Sequence, residues 1–197
     1  MSTTQPLDQR LLHRPKRADA RRNYDRVIAA AREAFAERGA STSLEEIARR
    51  AEVGIGTLYR NFPNRQALLE AVYLDEMEAL GRSAQELQSL APWESFSAWA
   101  HGLAGYMATK QALANELFEY LEPDAPLFTT CRASLMSSAE PLLERAQQAG
   151  AVRPDADLWD IIKMVGGISK IAGAEPAQVD HILTIALDGL RYRTDDK

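Results

Sequence analysis

The apolar positions of this chain follow a helical period over most of its length, and the pattern is most telling between Thr42 and Ala67. Leu44, Ile47, Ala48 and Ala51 fall at i, i+3, i+4 and i+7, which gives a short helix one apolar face. Ser43 stands where that helix begins, and Glu46, three residues on, completes the pattern of a capping box. Glu52-Val53-Gly54 breaks the helix, with Gly54 free to take the angles of a sharp turn. Gly56–Phe62 is too short to be a stable helix alone. Leu58 and Phe62, at i and i+4, supply its inward face, and Thr57, Tyr59, Arg60 and Asn61 are left for the other. The same stretch alternates polar and apolar like a short strand, but the strong helix patterns on both sides favour a helix.

Upstream, Val27, Ile28, Ala31 and Phe35 form the inward stripe of a helix from about Asp19 to Glu37, ended by Gly39. Downstream, Asn64 caps a fourth helix with Leu68, Ala71 and Val72 facing in, running to about Gly81. Helical composition persists to Ala91-Pro92, so the junction is not a soft linker. Phe96, Trp99, Ala100, Leu103, Tyr106 and Met107 then share one face. Further helices are expected over 112–121, 126–149 (with a kink at Pro141), 158–171 and 176–190. Gly166-Gly167 inside an apolar helix costs about 2 kcal/mol against alanine, which points to close helix contact, the blander choice, or to a bendable point. The fold class expected is all-α, with about nine helices and three of them in a small N-terminal head. The domain boundaries expected are 1–17 for a flexible basic arm, 18–65 for the head and 66–197 for a helical body, with helix 64–81 connecting the last two.

Charge sharpens this picture. The net charge of −5 averages two unlike parts. Residues 1–65 carry 13 Lys or Arg against 8 Asp or Glu, a net of +5; the remainder carries 10 against 20, a net of −10. A basic head on an acidic body fits binding to phosphate through one end. A short helix with an apolar back and a polar, basic front suits the major groove of double-stranded DNA. The chain of 197 residues has one cysteine, Cys131, so no intrachain disulfide forms and a reducing cytoplasm is the simplest compartment. No apolar run reaches the roughly 18 residues of a membrane span.

The residues of the head resemble the TetR/AcrR family of bacterial transcription regulators. The resemblance rests on Ile28–Phe35 with Glu37-Arg38-Gly39, on Ser43–Ala48, and on Ala51-Glu52-Val53-Gly54. It rests most of all on Gly56-Thr57-Leu58-Tyr59 followed by Phe62-Pro63-Asn64-Arg65-Gln66-Ala67-Leu68. It implies a helix-turn-helix DNA-binding head joined to an all-helical effector-binding and dimerisation domain. Ile55 stands where a polar or basic residue often precedes the Gly-Thr, and Arg60-Asn61 replaces the usual aromatic or His pair. The operator sequence is therefore not read from the family.

The candidate DNA contacts follow. Arg60 suits guanine through two parallel hydrogen bonds, and Thr57 or Ile55 suits a thymine methyl. Tyr59 is expected on a phosphate, as its family counterpart is, and Gly56 lets the duplex come close. Thr42, Ser43 and Arg65 sit at helix starts beside the backbone, Arg22 lies near the start of the first helix, and Asn61 shares the front face. The family implies a homodimer on a near-palindromic operator, with Ser134–Gln148 and Val179–Leu190 as candidate dimer helices. Trp99, Leu103, Tyr106, Met107, Phe118, Phe128, Cys131 and Met164 are candidates to line a pocket for a small, mainly apolar effector. No cofactor, catalytic residue or metal ligand is expected: His13, His101 and His181 lie far apart, and Cys131 has no motif around it. Glu116, Glu119, Glu122 and Asp124 read as a solvated helix end. The function expected is a repressor released by its ligand. The alternative is a DNA-bound scaffold with the same head and a solid interior.

Overall fold

The computed structural model describes residues 14–39 and 42–191, with the side chains of 108–112 excepted. The expected arm thus lies, up to residue 13, outside the described residues. Among the described residues there are eight α-helices and no strand: α1 (Ala18–Arg38), α2 (Leu44–Arg50), α3 (Ile55–Asn61), α4 (Arg65–Leu87), α5 (Pro92–Leu117), α6 (Pro126–Gln148), α7 (Leu158–Ile168) and α8 (Pro176–Asp188). The all-helical fold read from periodicity is the fold observed.

Local chemistry sets the boundaries. Ser43 accepts from the Glu46 amide at 3.1 Å and so caps α2. Only this half of the capping box forms, because the Glu46 carboxylate turns to Arg49 and Arg50 instead. The turn after α2 also differs from expectation. Gly54 is extended (φ −64°) and heads α3, its carbonyl accepting from Thr57 and Leu58. Glu52 takes the left-handed angle (φ 51°). Arg26 holds it there by donating to its carbonyl at 3.3 Å and its carboxylate at 2.7 Å.

Asn64 caps α4 by accepting from the Ala67 amide at 2.8 Å. The helix runs past Gly81 to Leu87, because an isolated glycine weakens a helix without ending it. The face shared by Phe96 to Met107 and the helix expected over 112–121 belong to one continuous α5, which ends at Leu117, since residues 108–112 hold no Gly or Pro to interrupt it. α6 passes through Pro141, whose neighbours Ala139 and Leu142 are completely buried. Asp157 caps α7 by accepting from the amides of Trp159 and Asp160.

The described residues of Met1–Glu78 and Thr109–Cys131 form one compact unit; those of Ala79–Ala108 and Arg132–Lys197 form the other. α4, α5 and α6 each contribute to both. In the first unit Val27, Phe35, Ile47, Leu58, Phe62 and Leu68 make the core that α1–α3 share with the start of α4. In the second unit Phe96, Trp99, Leu103, Leu142, Val165 and Leu183 are buried. Close packing does not explain Gly166-Gly167. A Cβ on Gly166 would meet Met107 Sδ at an ordinary 4.0 Å, and one on Gly167 would meet nothing within 4 Å.

Gly39 ends α1 at φ 54° and ψ −136°, a region open to glycine and strained for any side chain. Gly39→Ala should therefore lower stability by about 1–2 kcal/mol. Urea unfolding followed by circular dichroism checks this; an unchanged midpoint would show that the corner relaxes freely.

Candidate nucleic-acid interface

α3 is built from its back outward. Leu58 and Phe62 are 0% and 2% exposed. The ring of Phe62 lies 4.9 Å from that of Tyr24 on α1, between centroids. That anchoring turns the opposite side to solvent: Ile55, Gly56, Tyr59 and Arg60 are exposed, with Tyr59 at 44%, and Thr57 and Asn61 are half-buried. Among the described residues Arg60 and Tyr59 make no hydrogen bond or ion pair, so their polar atoms are available. The Asn61 amide is already used, donating to the Thr57 carbonyl at 2.8 Å.

The charges behind this face are neutralised. Arg50 pairs with Glu37 and Glu46 at 2.8 and 2.9 Å, and Arg49 pairs with Glu46 at 2.8 Å. These bonds, that of Arg50 first and that of Arg49 second, hold the Glu46 carboxyl down at about 2. Of the three arginines on α2 and α3, Arg60 alone has no carboxylate partner among the described residues. A face of this kind offers a forked donor, a phenol and a methyl group beside a side-chain-free Gly56, which is the chemistry of base-edge and phosphate contact.

The other expected contacts are placed less openly. Ser43 is exposed at the start of α2, its hydroxyl engaged with the Glu46 amide. Thr42 is buried, its hydroxyl donating to the Ala34 carbonyl at 2.9 Å. Arg22 is exposed and pairs with Asp19. Arg65 is held inside the first unit by the Thr42 carbonyl and by Glu116, the latter at 2.7 Å. Glu116 was expected on a solvated helix end; it is 6% exposed because it faces this guanidinium. Glu119, Glu122 and Asp124 are exposed. The Arg26–Glu52 and Arg65–Glu116 ties join residues 26 and 51 positions apart, so no local spacing announces them.

The expected effector residues divide between the two compact units. Trp99, Leu103 and Tyr106 are buried on α5 in the second, where Met107 and Met164 are half-buried. Phe128 and Cys131 are buried in the first. Phe118 is there too, but 48% exposed, resting against Phe128 with centroids 5.1 Å apart. Among the described residues no three His, Cys, Asp or Glu side chains stand together as a metal site. No described helix is long and apolar enough to cross a membrane.

Residues 27–72 match the family described as bacterial regulatory proteins, tetR family. Residues 91–192 match the C-terminal domain described as transcriptional regulator SbtR-like. The crystal structure of the TetR transcriptional regulator SCO0520 from Streptomyces coelicolor is 35% identical, with 86% of this chain and 99% of that one covered at a TM-score of 0.77. A TetR regulatory protein from Mycobacterium vanbaalenii is 32% identical, covering 90% and 99% of the two chains at a TM-score of 0.74. The HTH-type transcriptional regulator UidR of Escherichia coli strain K12 is 28% identical over 146 residues, 70% of this chain and 72% of that one.

Burial raises the Tyr24 phenol to about 12, from an ordinary 10.0. The native state therefore binds this proton more tightly than the unfolded chain. The contribution is whole below pH 10 and is lost as pH rises through about 12. Two units of difference correspond to about 2–3 kcal/mol. Urea titrations across that window should show a steeper loss of stability for the wild-type chain than for Tyr24→Phe; parallel curves would mean that the ring ionises freely.

Proposed function

Because the chain belongs to the TetR family of bacterial transcription regulators, we propose that it is a cytoplasmic repressor, binding a near-palindromic operator as a homodimer and released by a small, mainly apolar ligand. The observation that carries the DNA-facing part is the two-sided α3: Leu58 and Phe62 locked behind it, Tyr59 and Arg60 open in front. Arg60 reads a base, Thr57 and Ile55 contact thymine methyl groups, Tyr59 and Ser43 meet phosphates, and Gly56 admits the duplex. Arg22, on the first turns of α1, supplies a further phosphate contact.

Support for the dimer comes from α8. It buries only Leu183 and Leu187 and leaves Ile185 60% exposed, with Val179, Ile182 and Ala186 half-buried. In water such a face gains by covering itself, and a second copy provides the matching surface, with residues 134–148 of α6 as the other dimer helix.

Support for the effector comes from α5. The Trp99 indole N–H and the Ser95 hydroxyl are buried one turn apart, with no hydrogen-bond partner among the described residues. Buried donors without acceptors are costly, and an apolar ligand carrying one oxygen acceptor relieves the cost. Ligand and DNA then weaken each other by the same factor, as linkage requires.

Two measurements test this. Arg60→Ala should reduce binding to an operator selected from random duplexes by about 10–100-fold, and binding to random duplex by much less. Equal losses on both would remove Arg60 from base reading. Trp99→Phe keeps an aromatic ring at this position and deletes the N–H. It should leave ligand-free operator affinity unchanged and weaken release by candidate oxygen-bearing aromatic or aliphatic compounds; unchanged release would place the effector elsewhere.

A further inference from the structure

Arg65 is the first residue of α4, and its position after Phe62-Pro63-Asn64 made it a candidate phosphate ligand. Its surroundings assign it otherwise. One arm of the guanidinium donates to the Thr42 carbonyl, just before α2. The other donates to Glu116 Oε2 at 2.7 Å, near the end of α5. Arg65 Cζ lies 5.0 Å from the centroid of the Phe35 ring on α1. The two side chains are only 22% and 8% exposed. Thr42 is itself fixed through its hydroxyl on Ala34, and its amide donates to Gly39. Glu116 Oε1, buried and unpartnered among the described residues, lies 3.8 Å from where a Cβ on Gly39 would sit. A carboxylate of α5 is therefore set beneath the corner joining α1 to α2.

We propose that Glu116 is a positioning residue for DNA binding: it holds Arg65 as a strut under the α1–α2 corner, so that the end of α5 sets the orientation of the helix-turn-helix. Arg65 then braces the head and does not neutralise a phosphate. α5 is one unbroken helix from Pro92, and it carries both Trp99 and Glu116. Displacement of its final turns therefore acts on the grip directly, which gives the proposed ligand response a physical endpoint in the head. Removing one partner of a buried pair leaves the other charge without compensation, so either loss loosens the corner.

The inference rests on the reading of α3 as the DNA-binding helix, and its test separates the two. Full-length wild type, Arg65→Met, Glu116→Gln and the double variant are titrated with an inverted repeat recovered from random duplexes, at several salt concentrations. Each single change should weaken binding by about tenfold, the double by no more than either alone, and the slope of log affinity against log salt should stay that of wild type. A slope lower by about 0.9 per head in Arg65→Met, with Glu116→Gln binding like wild type, would make Arg65 a phosphate ligand and overturn the proposal. Arg65→Lys keeps the charge without the fork and should weaken binding as Arg65→Met does; full rescue would also overturn it. Thermal melting of the same four proteins needs no DNA. Strictly additive losses of melting temperature would sink the strut even if no repeat were preferred, an outcome that would separately defeat the reading of α3.

Discussion

A helix of seven residues cannot support itself in water, and the way α3 is held determines what the rest of the head must be. Nucleating a helix is unfavourable by about 10⁻³ in equilibrium, on the order of 4 kcal/mol, and seven residues recover little of it. Complete burial of Leu58 and Phe62 contributes roughly 1.5–3 kcal/mol each, enough to offset that cost. The anchoring comes from one side only, and the other side stays open to solvent. α1 provides it through Tyr24, and the result is a helix with a fixed azimuth. Which side chains face outward is thus decided by the packing behind them.

Electrostatics in the head follows the same division. Arginines on the supporting elements are matched by carboxylates: Arg26 by Glu52, Arg32 by Asp75 and Glu76, Arg50 by Glu37 and Glu46, Arg65 by Glu116. Many arginines of this end of the chain are therefore engaged in holding helices together, and Arg60 is conspicuous for being left over. Counting Lys and Arg in the head overstates the charge it presents to DNA, because most of these cations are compensated a few ångströms away.

Much of the fold was legible in the sequence because its information is local. The stripes on α1 and α2, the Ser43 and Asn64 caps and the Leu58–Phe62 pair are all written within a turn or two of the residues they place. The identity of the head was legible for the same reason, the motifs being contiguous. The misreadings fall where a distant partner competes with a local rule. Glu46 was expected to complete a capping box, but Arg50 and Arg49 offer it stronger, charge-assisted bonds. Gly54 was expected to take the turn angle; Glu52 takes it because Arg26 is there to hold its carbonyl. Glu116 looked solvated because nothing near it in the chain reveals Arg65. The expected effector residues were picked by residue type, which does not say which unit each belongs to or that Phe118 stands half in solvent.

The noncontiguous make-up of the N-terminal unit bears on how this protein can be taken apart. Its own core draws on Leu113, Leu117 and Phe128, all supplied by chain that returns after a long excursion. A fragment ending after α4 would expose what those side chains cover. Exchanging recognition modules between relatives by a single cut therefore asks one protein's foundations to fit under another's doorway; a graft confined to the outward residues of α3 leaves the masonry alone.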